Sequence, residues 1–173
     1  LYTVLGVSLG ALAGYYGGMV DSVIMRLADI VMAFPALILI ITIASVVGPS
    51  IYNIMLVIGF LGWPPIARIV RGMFLSLRER EFVLAARAGG VQNTRLIVRH
   101  LVPNVMAPVI VAATYGMATA ILVEAGLSFL GLGVQPPTAS WGNMLNAAQS
   151  ISILESMPGL WVRPGLMIAI TVL

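Results

Sequence analysis

The chain has 173 residues, of which 60% are hydrophobic and 9% charged, with a net charge of +3. Soluble domains carry about 25% charged residues, so this composition excludes a water-soluble globule and makes the bilayer the solvent. There is no lysine, no cysteine and only one histidine, which excludes a phosphate-binding P-loop, disulfides, thiolate metal sites and a zinc cluster; neither a metal nor a cofactor is expected.

A helix needs about 20 apolar residues to cross a ~30 Å hydrocarbon core. Leu1 to Tyr16 supplies most of one span, and Gly6, Gly10 and Gly14 fall four apart on one face, where a neighbouring helix can approach closely. Residues 17–29 read as a short polar connection with Asp21, Arg26 and Asp29. Ile30 to Val47 is a second span with a kink at Pro35. Gly48-Pro49-Ser50 ends it, and Ile51 to about Val70 forms a third, interrupted at Pro64-Pro65. Leu101 to Val123 is a fourth, and Pro158 to Leu173 begins a fifth. The chain opens on Leu and starts and stops within apolar runs, with no signal peptide or internal repeat, so it reads as the interior of a longer membrane protein.

Seven of the nine arginines lie between Arg68 and Arg99, flanked by uncharged stretches at 30–67 and 101–123. Basic residues clustered beside apolar spans fit the positive-inside rule better than a nucleic-acid surface, so no nucleic-acid partner is expected. With 71–100 cytoplasmic, 17–29 also lies inside, while 48–50 and 124–156 lie outside. Arg163 falls near the outer end of the last span and snorkels to the interface. Within the island, Leu77 to Ala88 is dense in helix formers. Gly89-Gly90 stops that helix, and Val91 to Leu101 leads to Pro103. Two readings stay open here: a compact knob whose small residues Ala85, Ala86 and Ala88 admit another protein, or a solvated loop of basic anchors.

The island resembles the EAA loop of ABC-importer permeases, Glu-Ala-Ala, three residues, Gly, nine residues, Ile-x-Leu-Pro. Ala85, Ala86, Gly90 and Pro103 fall on that spacing, while Leu84, His100 and Val102 replace its Glu, Ile and Leu. The Arg-His-x-x-Pro-Asn ending at 99–104 is similar to the peptide and nickel branch. Ala13-Gly14-Tyr15-Tyr16-Gly17-Gly18 and Phe34-Pro35-Ala36 resemble the early spans of that branch. The stretch from Glu124 to Gly133, then Gln135-Pro136-Pro137 and Ser140-Trp141-Gly142, is similar to its C-type subunit.

The resemblance implies an all-α, polytopic fold, the type I ABC-importer transmembrane domain, with five of an expected six spans in a single permease domain over 1–173. It implies the pore subunit of an ATP-driven importer for peptides or a related solute such as nickel, in a bacterial or archaeal inner membrane, and not an enzyme. Two ATP-binding subunits, a second permease subunit and an extracytoplasmic solute-binding protein are the implied partners. Residues 77–100 form the ATPase-coupling loop, with Ala85, Ala86, Arg87, Gly90, His100 and Pro103 as its site residues. The outer segment 124–156 is too apolar for a free loop and too rich in Gly and Pro for one helix. It is expected to fold back as a gate involving Glu124, Ser128, Phe129 and Trp141, against the alternative of a lipid-facing interfacial helix.

Two rivals remain at this point. A secondary transporter would work without an ATPase, but no carboxylate or histidine lies mid-span to relay protons. An intramembrane serine hydrolase is suggested by Gly6-Val7-Ser8-Leu9-Gly10, a nucleophile-elbow pattern that requires a strand-to-helix turn.

Overall fold

The computed structural model describes residues 1–48, 50–134, 137–150 and 156–173. Among them the chain is all-helical, with no strand. Its helices are α1 (Tyr2–Tyr16), α2 (Gly18–Ala33), α3 (Ala36–Val47), α4 (Ile51–Leu61), α5 (Trp63–Leu77), α6 (Glu81–Ala88), α7 (Asn93–Leu96), α8 (Val102–Phe129), α9 (Trp141–Ala147) and α10 (Gly159–Val172). Ser8 lies within α1, so the strand-to-helix turn that a nucleophile elbow needs is absent there. The contacts divide the chain into two compact units, Leu1–Phe34 with Gly59–Thr114, and Pro35–Ile58 with Tyr115–Leu173.

Among the described residues, two helical stretches are long and apolar enough to cross a membrane, Ile51–Leu77 and Asn93–Phe129. A third is reached if α2 and α3, broken at Phe34-Pro35, count as one span. The second stretch is 37 residues long, about 55 Å at ~1.5 Å per residue, and so exceeds the hydrocarbon core. The helix α8 therefore continues past Val123 to Phe129, and residues 124–129, expected in the outer segment, are its last turns.

The first unit is built on α1 and α5. A Cβ at Gly6 would stand 2.7 Å from Cβ of Ile66; one at Gly10, 2.9 Å from Cα of Ala67; one at Gly14, 2.5 Å from Cβ of Phe74. These distances are below any real Cβ contact, so the glycine face expected for packing lets the two backbones touch. Rising numbers on α1 meet rising numbers on α5, so the helices run parallel and Tyr16 and Leu77 reach the same end. Pro64 and Pro65 fall in the first turn of α5, where no intrahelical N–H is lost.

Residues 17–29 are not a polar connection: Gly17 alone separates α1 from α2, and residues 18–29 form most of α2. Asp21, Ile24, Met25, Ala28 and Asp29 recur at helical spacing, and Ile24 and Ala28 pack with Ala13, Trp63 and Ala67. The two carboxylates at the edges of that face are paired. Asp21 accepts from both Nε and Nη2 of Arg71, the latter at 2.6 Å, and Asp29 accepts from Nη2 of Arg68 at 2.5 Å. Helical periodicity and partners on α5 override the low local hydropathy that suggested a loop.

In the second unit, Nδ2 of Asn53 donates to the carbonyls of Val47 and Gly48 at 3.3 and 3.2 Å, closing the end of α3 where a break was expected. Pro49 of that break lies outside the described residues.

Gly10→Ala is expected to destabilise the protein by about 1–3 kcal/mol, the overpacking range. At Gly72 an added methyl meets nothing within 4 Å, and Gly72→Ala is expected to be neutral or to stabilise by up to about 1 kcal/mol through helix propensity. Thermal unfolding in detergent compares them, and equal Tm values would mean that α1 does not lie against α5 in this way.

Candidate functional site

The arginine island folds as a hairpin of short helices. The helix α5 runs on to Leu77, past the expected end at Val70, and the expected helix from Leu77 is shorter, Glu81–Ala88. Gly90 follows α6 with φ 78°, its N–H bonded to the Arg87 carbonyl and that of Val91 to the Ala86 carbonyl, at 2.9 and 3.1 Å. This is a Schellman cap, whose left-handed position a residue with a Cβ enters only at a cost. The second arm begins at Asn93 and passes through a π-helical turn, Ile97–Leu101, into α8. Pro103 explains that turn: it brings no N–H to the ladder and its ring crowds the carbonyl four residues back, so the helix widens. The His100 carbonyl accepts from Nδ2 of Asn104 at 2.6 Å.

The hairpin has a fixed inner side and an open outer side. Val83, Leu96 and Leu101 are fully buried with Val70 and Phe74 of α5, and Ala86 packs against the same cluster. Outward, Ala85, Ala88, Gly89 and Gly90 are exposed, flanked by Phe82 at 43% and Leu84 at 51% exposure. The residue in the motif's glutamate place is thus an exposed leucine.

Both arms are tied to the end of α1. The hydroxyl of Tyr15 donates to Oδ1 of Asn93 at 2.6 Å, and the Arg87 guanidinium lies over the Tyr15 ring, 5.0 Å from its centroid. Nη1 of Arg78 approaches the Gly14 carbonyl at 3.5 Å. Tyr15 and Asn93 were not singled out as site residues by sequence reasoning. The available signal was a tyrosine at the end of the span that adjoins the island.

Ser128 organises the segment that was expected to lie outside. Its hydroxyl donates to Oε1 of Glu124 at 2.7 Å and accepts from the N–H of Val134 at 3.0 Å. Gly131, at φ 76°, closes α8 with a second Schellman pair, Gly131 N–H to Ser128 and Leu132 N–H to Leu127. The chain then returns through α9, capped by Ser140, whose hydroxyl accepts from the Asn143 N–H. A Cβ at Gly142 would lie 2.6 Å from Cβ of Ser128, so α9 crosses α8 in direct contact. Asn146 and Gln149 donate to the Phe129 carbonyl at 2.5 and 3.1 Å, covering the end of α8. Ser128 is 1% exposed, whereas Phe129 is 39% exposed and Trp141 is half-buried. Of the four expected gate residues, Glu124 and Ser128 thus share one hydrogen-bonded cluster. Gln135, Pro136 and residues 151–155 of this segment lie outside the described residues.

Residues 6–173 match the family described as the binding-protein-dependent transport system inner membrane component. The chain belongs to this family. It is 46% identical to a putative peptide permease protein of Brucella ovis over all of this chain and 57% of that protein. It is 45% identical to the dipeptide transport system permease protein DppC of Alkalihalophilus pseudofirmus, over 98% of the chain and 55% of that protein. The nickel transport system permease protein NikC of Escherichia coli is 41% identical, over the whole chain and 62% of that protein. The chain therefore spans between half and two thirds of the length of these relatives. Its resemblance to the peptide and nickel branch holds, and its apolar helices are those of a multi-pass inner-membrane transport component.

Ser128→Ala removes the acceptor for a buried Val134 N–H and is expected to cost about 1–3 kcal/mol. The check is the rate at which protease cuts the 130–140 region of the purified permease. A cleavage rate unchanged from the parent would show that Ser128 does not hold this turn.

Proposed function

We propose that this chain is the pore-forming permease subunit of an ATP-driven importer of the peptide and nickel branch, taking peptides or a related solute such as nickel. The whole subunit has six spans, of which this chain carries five, in a bacterial inner membrane. The hairpin 77–100 is its coupling loop, facing the cytoplasm, where two ATP-binding subunits dock and carry out the hydrolysis. A second permease subunit completes the pathway, and an extracytoplasmic binding protein delivers the solute to the opposite face, where segment 124–156 serves as the gate.

One observation carries this reading. The outer side of the α6 arm presents Phe82 and Leu84 beside the small residues Ala85, Ala88 and Gly90. Apolar side chains next to small residues, on a hairpin pinned from behind, suit a close-fitting protein partner better than water. The chain's lack of lysine leaves it without a P-loop, so an ATP-driven cycle must draw on a partner's nucleotide site and pass through such a contact.

Gly90→Val places a β-branched residue at positive φ where an added Cβ meets nothing within this chain. The expected result is a sharp fall in copurified ATPase with the permease itself still folded; unchanged assembly and transport would remove the docking role.

Topology is tested separately, because the chain has no cysteine. A membrane-impermeant thiol reagent added outside should label Thr138→Cys and miss Gln92→Cys. The reverse pattern would overturn the orientation.

A further inference from the structure

We propose that Tyr15 is a positioning residue for coupling: a post on α1 that locks the two arms of the 77–100 hairpin together and passes their movement to the α1–α5 pair. The inference rests on the docking reading above and adds the route by which force leaves the hairpin.

Tyr15 makes contacts of different chemistry with each arm. Its hydroxyl holds Asn93, the first residue of α7, and its ring carries Arg87 in the last turn of α6. Between those two contacts lies the Gly90 turn. The ring is 6% exposed and is braced by Tyr16, edge-on at 5.2 Å between centroids. It has little freedom to yield when either arm is displaced. One residue before it, Gly14 brings α1 close against the Arg71 backbone and the Phe74 Cβ of α5. A push on the hairpin thus meets α1 directly through a hydrogen bond and a cation–π contact, and sliding of α1 on α5 is resisted because Ile66, Val70 and Phe74 of α5 fit tightly against its glycines. The Phe74 side chain shares an apolar cluster with Val83 and Leu96, and such packing is less directional than a hydrogen bond. Tyr15 therefore sets the register between hairpin and span, while the apolar cluster supplies cohesion.

The test uses the full importer, permease with its ATPase subunits, partner permease and binding protein in proteoliposomes. The readout is the stimulation of ATP hydrolysis by the binding protein, which requires a signal to cross the permease. Tyr15→Phe removes only the hydroxyl and is expected to lower that stimulation by about fivefold, the equivalent of one net hydrogen bond. Tyr15→Leu also removes the cation–π face and should abolish it. In both variants the ATPase should still copurify at the parent level. Asn93→Asp, which keeps an acceptor for the hydroxyl, should retain stimulation, and Asn93→Leu should lose it as Tyr15→Phe does. Unchanged stimulation in Tyr15→Phe and Asn93→Leu overturns the proposal. Loss of ATPase from the Tyr15→Phe complex also overturns it, because Tyr15 would then merely prop the docking surface. The docking reading fails by a different result, unchanged ATPase capture by Gly90→Val, so the two failures are distinguishable.

Discussion

The first unit depends on the backbone-to-backbone approach of α1 and α5 at Gly6, Gly10 and Gly14. In lipid no hydrophobic force draws two apolar helices together, because the tails are as apolar as leucine. What remains is dispersion, which falls off steeply with separation, so removing side chains from one face is the available route to a firm contact. Three glycines at i, i+4 and i+8 do this over the length of α1. Because the pair is parallel, the C-terminal end of α1 arrives where α5 gives way to the arginine-rich hairpin. Tyr15 meets Arg87 and Asn93 for that reason alone.

The same geometry governs the charges. Arg68 and Arg71 project from a span that is otherwise apolar, and an unpaired charge there is costly. Asp21 and Asp29 sit eight residues apart on α2, about 80° apart in azimuth, at the two edges of the face turned to α5, and each pairs with an arginine of α5. The planar guanidinium of Arg71 meets the Asp21 carboxylate through two nitrogens, a match a lysine would not make. The third partner of the bundle is thus tied by directional bonds where the first two are tied by shape.

One local device appears twice. Gly90 and Gly131 each terminate a helix in a Schellman turn with a left-handed glycine, and each turns the chain away from the axis of the helix it has just left. The consequences differ with the next residues. After Gly90 the return is through Asn93 to a tyrosine on another helix, and the outer side stays bare. After Gly131 the return is over Ser128, where Gly142 allows α9 to press on α8. Ser128, with one donor and one acceptor role both used, makes an irregular turn tolerable where water is scarce.

Whatever depends on composition or short spacing was legible from the residues alone. Sixty per cent apolar residues with nine per cent charge forced a helical membrane protein, the Gly6-Gly10-Gly14 face forced close packing, and Gly90 at its motif position forced a left-handed turn. The spacing of Ala85, Ala86, Gly90 and Pro103 was enough to suggest the family. Residues 17–29 were misjudged because hydropathy averages over a window, whereas a charge's cost depends on a partner 39 or 50 positions away. The ends of α5 and α8 were misplaced for a related reason. Helices continue through polar residues when tertiary contacts support them, as Phe74 and Ser128 show. The contacts of Tyr15 with Arg87 and Asn93, and the burial of Ser128 between its two hydrogen-bond partners, were decided by tertiary packing. Hydrogen bonds and stacking are set by distances in space, and a sequence prescribes those only once its helices have chosen their neighbours.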